Sequence, residues 1–301
     1  MNAIEIKGLT KYFKEKQALC GLDMTVPVGS IYGFIGENGS GKSTTEKIIC
    51  GLIHKSGGSV KLFGKNHTDS DIRARIGVLI EAPGYYPNYS VWNNMMLQAA
   101  NLCISDAEQA VVEALKTVRM EGAASNKYKN CSLGMKQRIG IAMALMGNPA
   151  LLVLDEPING LDADGMRIMR EVLTDIAKSG TTVVISSHIL SELEKIATHY
   201  GIVKDGRMIK EMTASELDAD CRTYTALQAK DMSRTKEVLS CKYTNVTEDD
   251  GGYIRVYDKA ASDEIVSYLY ANGVTVSEIR TAKISLEEYY IDLMEDRRNG
   301  N

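Results

Sequence analysis

The segment GENGSGKSTT, residues 36–45, sets glycines, one lysine and hydroxyl residues directly after the apolar run SIYGFI. Gly36, Gly41, Lys42 and Ser43 have the spacing Gly-x-x-x-x-Gly-Lys-Ser of a phosphate-binding loop. Glycines let the chain turn so that backbone N–H groups converge, and the positive end of the following helix adds to their pull on an anion. The residues expected at the phosphates are Gly36, Asn38, Gly39, Ser40 and Gly41 of the turn, with Thr44 just beyond. Lys42 is expected to reach the β and γ phosphates of a nucleotide, and Ser43 to offer its hydroxyl to Mg2+; the loop alone does not choose among kinases, GTPases and ATPases.

A second cluster completes this chemistry. LLVLDEP ends an apolar run in two adjacent carboxylates, Asp155 and Glu156. Acids at the C-terminal end of a strand in an α/β sheet lie where ligands bind. Alternation along a strand sends neighbouring side chains in different directions, so the two acids need not share a role. Asp155 is placed to hold Mg2+, directly or through water, and Glu156 to orient or deprotonate an attacking water.

The elements that must position these groups alternate through residue 210. AIEIKGL and GLDMTVPVG look like strands near an edge, and IYGFIG, GSVKLFG, RIGVLIE, ALLVLDEP and TTVVISSH read as strands. KSTTEKIICGLI, with Ile48, Ile49 and Leu52 on one face, LGMKQRIGIAMALMG up to Asn148-Pro149, ADGMRIMREVLTDIAKSG and ILSELEKIATHYG read as helices, as does most of 91–127. The chain is thus α/β with a mostly parallel core sheet. Near residue 220 the order becomes β-α-β-β-α-β, as in ferredoxin-like folds, followed by SLEEYYIDLMEDRR, which opens with the capping pair Ser285 and Glu288. Residues 1–218 form one expected domain and 219–301 a small α+β accessory one.

With these motifs in hand, the chain resembles an ATP-binding-cassette (ABC) ATPase, a P-loop cassette with an antiparallel edge sheet and a helical subdomain. CSLGMKQR, residues 131–138, resembles the family's signature stretch, and the resemblance implies that Ser132 and the N–H of Gly134 bind the γ-phosphate of ATP held by a second copy. Leu133 and Met135 replace the usual glycine and glutamine of that stretch. NGLDA, 159–163, resembles the loop of contacts between paired cassettes, with Asp162 as its acidic member, and His188 in ISSHIL matches the switch histidine. The resemblance also implies an aromatic ring stacked on adenine, Phe13 with Tyr12 as runner-up, and a glutamine where this chain has Glu81, a carboxylate that can still reach Mg2+ or water. YGFIGENGSGKSTT, IGVLIEAPGYYPN and SLGMKQRIGIAMAL resemble the bacitracin- and lantibiotic-type efflux subgroup.

Composition narrows the setting. The 35 basic and 39 acidic residues give no reason to expect nucleic acid. The six cysteines form no C-x-x-C pair, which argues against a zinc or redox motif and for reduced thiols. MNAIEIKGLTKYF shows no secretory pattern, and no apolar run approaches the roughly 20 residues that span a bilayer. The expectation is a cytoplasmic ATP-hydrolysing subunit, peripheral on the inner face of the cell membrane, that powers a separate membrane permease, an exporter of peptide antibiotics, through ATP-dependent pairing of two copies. Residues 82–96 are the expected permease contact. The rival readings are a regulatory nucleotide-binding module with little turnover and a non-transport ABC ATPase.

Overall fold

The computed structural model describes residues 1–81, 84–221, 223–249, 251–258 and 260–299 and divides into two compact units, Met1–Ala214 and Ser215–Asn301. In the first unit β1 (Asn2–Phe13) and β2 (Lys16–Pro27) form a long hairpin, continued by β4 (Gly57–Leu62) and β5 (Lys65–Asn66) in an antiparallel sheet of order β2-β1-β4-β5. The core sheet holds β3 (Ile31–Ile35), β6 (Ile76–Leu79), β7 (Leu151–Asp155), β8 (Thr182–Ser187), β9 (His199–Lys204) and β10 (Arg207–Thr213) in the order β10-β9-β3-β8-β7-β6. All neighbours in it are parallel except β9 and β10. β3 and β8 are buried at every residue, as expected of parallel strands covered on both faces.

Helices flank these sheets: α1 (Lys42–Ile49), α2 (Ser70–Arg73), α3 (Val91–Asn101), α4 (Ala107–Thr117), α5 (Leu133–Leu145), α6 (Ala163–Lys178) and α7 (Leu190–Leu193). Ile48 and Ile49 of α1 enter the core between the two sheets with Leu9, Leu22, Phe34 and Val153. The register sets the site: Ile35 lies opposite Ser187, and Asp155 opposite Ser186. The ends of β3, β8 and β7 therefore deliver Gly36, His188 and Glu156 at one edge.

Three local expectations need correction. α1 ends at Ile49, so Leu52 leaves the helical face and is exposed. α5 stops at Leu145, ahead of Asn148, whose φ of 46° is left-handed. Only Leu190–Leu193 of ILSELEKIATHYG is helical, because Thr198 N–H already donates to Ile31 O (2.8 Å) and the following residues join β3 as β9. Buried parallel pairing overrides the helical pattern there.

The second unit, with α8 (Ala214–Asp220) at the boundary, contains β11 (Thr223–Ala229), α9 (Met232–Ser240), β12 (Val246–Glu248), β13 (Ile254–Val256), α10 (Ser262–Ala271), β14 (Val276–Lys283) and α11 (Leu286–Asn299). The antiparallel sheet order β12-β13-β11-β14 is the split β-α-β arrangement. Leu227, Ile254 and Val256 pack with Leu239, Ile265 and Leu269 as its own core. Ser285 and Glu288 cap α11 reciprocally: Ser285 N–H donates to Glu288 Oε2 (3.0 Å) and Glu288 N–H to Ser285 Oγ (3.2 Å).

Candidate active site

The turn after β3 is shaped by space as much as by conformation. A Cβ on Gly36 would lie 2.4 Å from Val203 O, so no other residue fits there. Gly41 caps α1 with φ 111°, and no side chain caps this end. The first backbone bond of α1 is Thr45 N–H to Gly41 O (2.9 Å), which leaves the N–H groups of Lys42, Ser43 and Thr44 without an intrahelical acceptor. Ser40 Oγ is buried without a hydrogen-bond partner. These are the features of an anion cradle.

A cleft of about 600 Å3 opens over this turn, lined by Phe13, Asn38, Gly39, Gly41, Lys42, Ser43, Thr44 and Glu156 together with Lys16, Gln17 and Asp205. Phe13 lines it and Tyr12 does not; Lys11 Nζ lies 4.8 Å from the centre of the Phe13 ring. Lys42 is buried, and its Nζ donates to Gly36 O and to Glu37 O (3.1 Å). Burial lowers its pKa, and the carboxylates of Glu156, Glu46 and Asp155 oppose that shift.

The acids sit across from the lysine. Asp155 Oδ1 accepts from Ser186 Oγ (2.8 Å), and Ser186 Oγ accepts from Glu156 N–H (3.2 Å). Glu156 has a left-handed φ of 47°. Its Oε2 accepts from Asn159 Nδ2 (3.0 Å) and lies 3.1 Å from His188 Nδ1. The acid, the switch-position histidine and the phosphate turn thus come together. Ser43 and Asp155 offer hard oxygen ligands, a donor set that suits Mg2+ when nucleotide phosphates supply further oxygens. Among the described residues no group of three or more His, Cys, Asp or Glu side chains forms a metal cluster by itself.

A family model described as "ABC transporter" matches residues 19–159. The bacitracin transport ATP-binding protein BcrA of Enterococcus faecalis is 37% identical over 297 residues, covering 97% of this chain and 96% of that protein. The lantibiotic transport ATP-binding protein SrtF of Streptococcus pyogenes is 40% identical over 215 residues, 71% of this chain and 93% of that one. Among solved structures, an ATP-binding subunit of an ABC transporter superposes with a TM-score of 0.64 at 27% identity, over 72% of this chain and 92% of that one. The ATP-binding cassette MJ0796, in a dimeric post-hydrolysis state bound to ADP and Pi, gives 0.63 at 25% identity over 70% and 98%. The chain belongs to the ABC transporter family. It is an ATP-binding and ATP-hydrolysing subunit of the kind that powers a separate membrane permease.

Against that family pattern, several residues stand away from the cleft of their own chain. Ser132 caps α5, its Oγ accepting from Met135 N–H (3.2 Å), with Gly134 in the first turn. Asp162 caps α6 by accepting from Gly165 N–H (2.8 Å). Glu81 does not line the cleft: exposed and with φ 60°, it pairs with Lys47 (2.6 Å), whose hydrogen bond and charge lower its pKa. Ala82 and Pro83 of the expected permease contact lie outside the described residues; farther on, Tyr86 and Tyr89 are exposed and stacked. The sequence reading missed Lys16, Gln17 and Asp205, whose only local signal is the Asp-Gly turn between β9 and β10, and it missed Asn159 as a partner of Glu156. Among the described residues no helix is long and apolar enough to cross a membrane.

Proposed function

We propose that the chain drives export of a peptide antibiotic, with ATP bound between two copies and hydrolysis in Mg2+-dependent composite sites. Lys42 and the N–H groups of the turn hold the phosphates, and Phe13 stacks on the base. Ser43 and Asp155 would hold Mg2+, which when bound would offset the negative charge of the phosphates. Glu156 takes a proton from water, and His188 contacts the γ-phosphate. Ser132 and Gly134 of the second copy complete the site. The subunit works at the inner face of the cell membrane, held there by its permease, with the exposed Tyr86 and Tyr89 segment facing it. Residues 1–218 carry the ATPase and 219–301 an accessory role.

The observation that carries the export reading is the alignment with a bacitracin transport subunit across nearly the whole of both proteins. The test is susceptibility. Cells producing the chain with its permease are expected to tolerate higher bacitracin or lantibiotic concentrations than cells producing the Glu156→Gln chain. Equal susceptibility to both peptide classes would refute the cargo class while leaving ATP hydrolysis intact.

A further inference from the structure

Glu156 is fixed at its backbone but not, by the same bonds, at its carboxylate. Its N–H is anchored to β8 through Ser186 O (3.1 Å) and Ser186 Oγ (3.2 Å). What orients the side chain is the pair of contacts converging on Oε2, from His188 Nδ1 (3.1 Å) and Asn159 Nδ2 (3.0 Å). Asn159 is held at this distance by a tight turn, its N–H donating to Glu156 O (3.2 Å) and Gly160 following with φ 72°.

The same turn is gripped from the other side. A Cβ on Gly160 would lie 2.9 Å from Leu133 Cδ2, so the Leu133 side chain fills the space that a larger residue at 160 would need. In return Leu161 Cδ2 lies 3.4 Å from where a Cβ on Gly134 would stand. Leu133 is half exposed, and it occupies a position where the family usually has glycine, which has no side chain to make such a contact. The first turn of α5 and the turn 158–161 therefore interlock through apolar atoms. A displacement of one moves the other, because close-packed contacts transmit strain instead of absorbing it.

We infer that Asn159 is a positioning residue for the catalytic carboxylate, and that Leu133 makes its position depend on the N-terminus of α5 in the same chain. Docking of Ser132 on the nucleotide of a second copy then adjusts Glu156 of the first. With both contacts on Oε2, the proton from water is taken at Oε1. The inference rests on the reading of Glu156 as the base and deepens it.

The experiment measures ATP affinity and steady-state hydrolysis of the full chain with Asn159→Asp, Asn159→Ala, Leu133→Ala and the double variant Leu133→Ala/Asn159→Ala. Asn159→Asp keeps the shape of the side chain, removes the donor and sets a second carboxylate against Glu156 Oε2. It is expected to bind ATP within about twofold of the native chain and to lose roughly tenfold or more in kcat, the scale of a misplaced catalytic group. Asn159→Ala removes the donor without adding a charge and is expected to lose kcat as well, so native kcat in either variant, folded and ATP-binding, overturns the inference. So does a raised KM with unchanged kcat. Leu133→Ala is expected to lower kcat a few-fold, and the double variant to be no slower than Asn159→Ala alone, since Leu133 acts through Asn159. Multiplicative losses in the double variant overturn the Leu133 link. Glu156→Gln is the separate control: if it hydrolyses ATP at the native rate, the assignment of the base fails, whatever Asn159 does.

Discussion

Gly41 in the phosphate turn and Gly273 after α10 carry left-handed φ values of 111° and 75°. They are held by different constraints. A Cβ on Gly41 would also meet Leu19 Cδ2 at 2.7 Å and Ala18 O at 3.3 Å, whereas a Cβ on Gly273 would meet nothing within 4 Å. Gly41 stands where backbone must approach backbone, to bring donors to a ligand, whereas Gly273 only ends α10. With nucleotide chemistry confined to the first unit, as proposed, changes in the second should register as stability alone.

The strongest way to break that division is Lys42→Ala. Lys42 is the buried cation of the turn, held by Gly36 O and Glu37 O. Its loss leaves the phosphates without a charge partner, and ATP binding by calorimetry is expected to fall below detection while the fold persists. Near-native affinity would place the phosphates elsewhere. Next in size is Glu156→Gln, which keeps the shape of the side chain. Turnover is expected to fall about hundredfold or more, the lower range for loss of a general base. ATP binding should survive, and light scattering should show a doubled mass in ATP. Hydrolysis at the native rate would move the base to another residue.

The glycines sharpen the comparison directly. Gly273→Ala is expected to cost about 1–2 kcal/mol in urea unfolding, the penalty of a left-handed Cβ, with ATP affinity unchanged. Gly41→Ala carries the same penalty plus the contact with Leu19, and its ATP affinity should fall more than tenfold. Equal effects of the two on affinity would dissolve the distinction between the units.

What was legible in the sequence follows from how local each feature is. Gly36 to Thr44 are consecutive, and Asp155 and Glu156 adjoin, so residue types alone located them. β9 was hidden because HYGIVK continues a helical pattern and becomes a strand only by pairing with β3. Lys16, Gln17 and Asp205 reach the cleft only because the β1–β2 hairpin and the β9–β10 turn converge there, as in Cys20 N–H to Gly206 O (2.9 Å). The contact of Asn159 with Glu156 depends on the left-handed turn at 156, which no local pattern in DEPING announces. Conversely, the βαββαβ order of the second unit was readable because each strand and helix there carries its own short apolar pattern.

Glu46 is the feature that composition hides most completely. It reads as a polar helix residue, yet it is 0% exposed, one turn beyond Lys42 on the inner face of α1 with Thr45 and Ile49. Ser186 Oγ has one proton and gives it to Asp155, so neither Glu46 oxygen finds a hydrogen-bond partner. Desolvation first, then the charge of Asp155, raises its pKa from 4.5 to about 8. A carboxyl whose folded pKa lies above its unfolded value binds its proton more tightly in the folded chain. Its contribution to stability is therefore fully present below pH 4.5 and is lost as pH rises to about 8. Within that window each pH unit costs about 1.4 kcal/mol. Glu46→Met removes the titrating group at similar volume. Its urea midpoint, measured without nucleotide or Mg2+, should exceed that of the native chain by more at pH 8 than at pH 6. An advantage that does not change between the two would mean that Glu46 is ionised throughout, and that a partner for its charge exists inside the first unit after all.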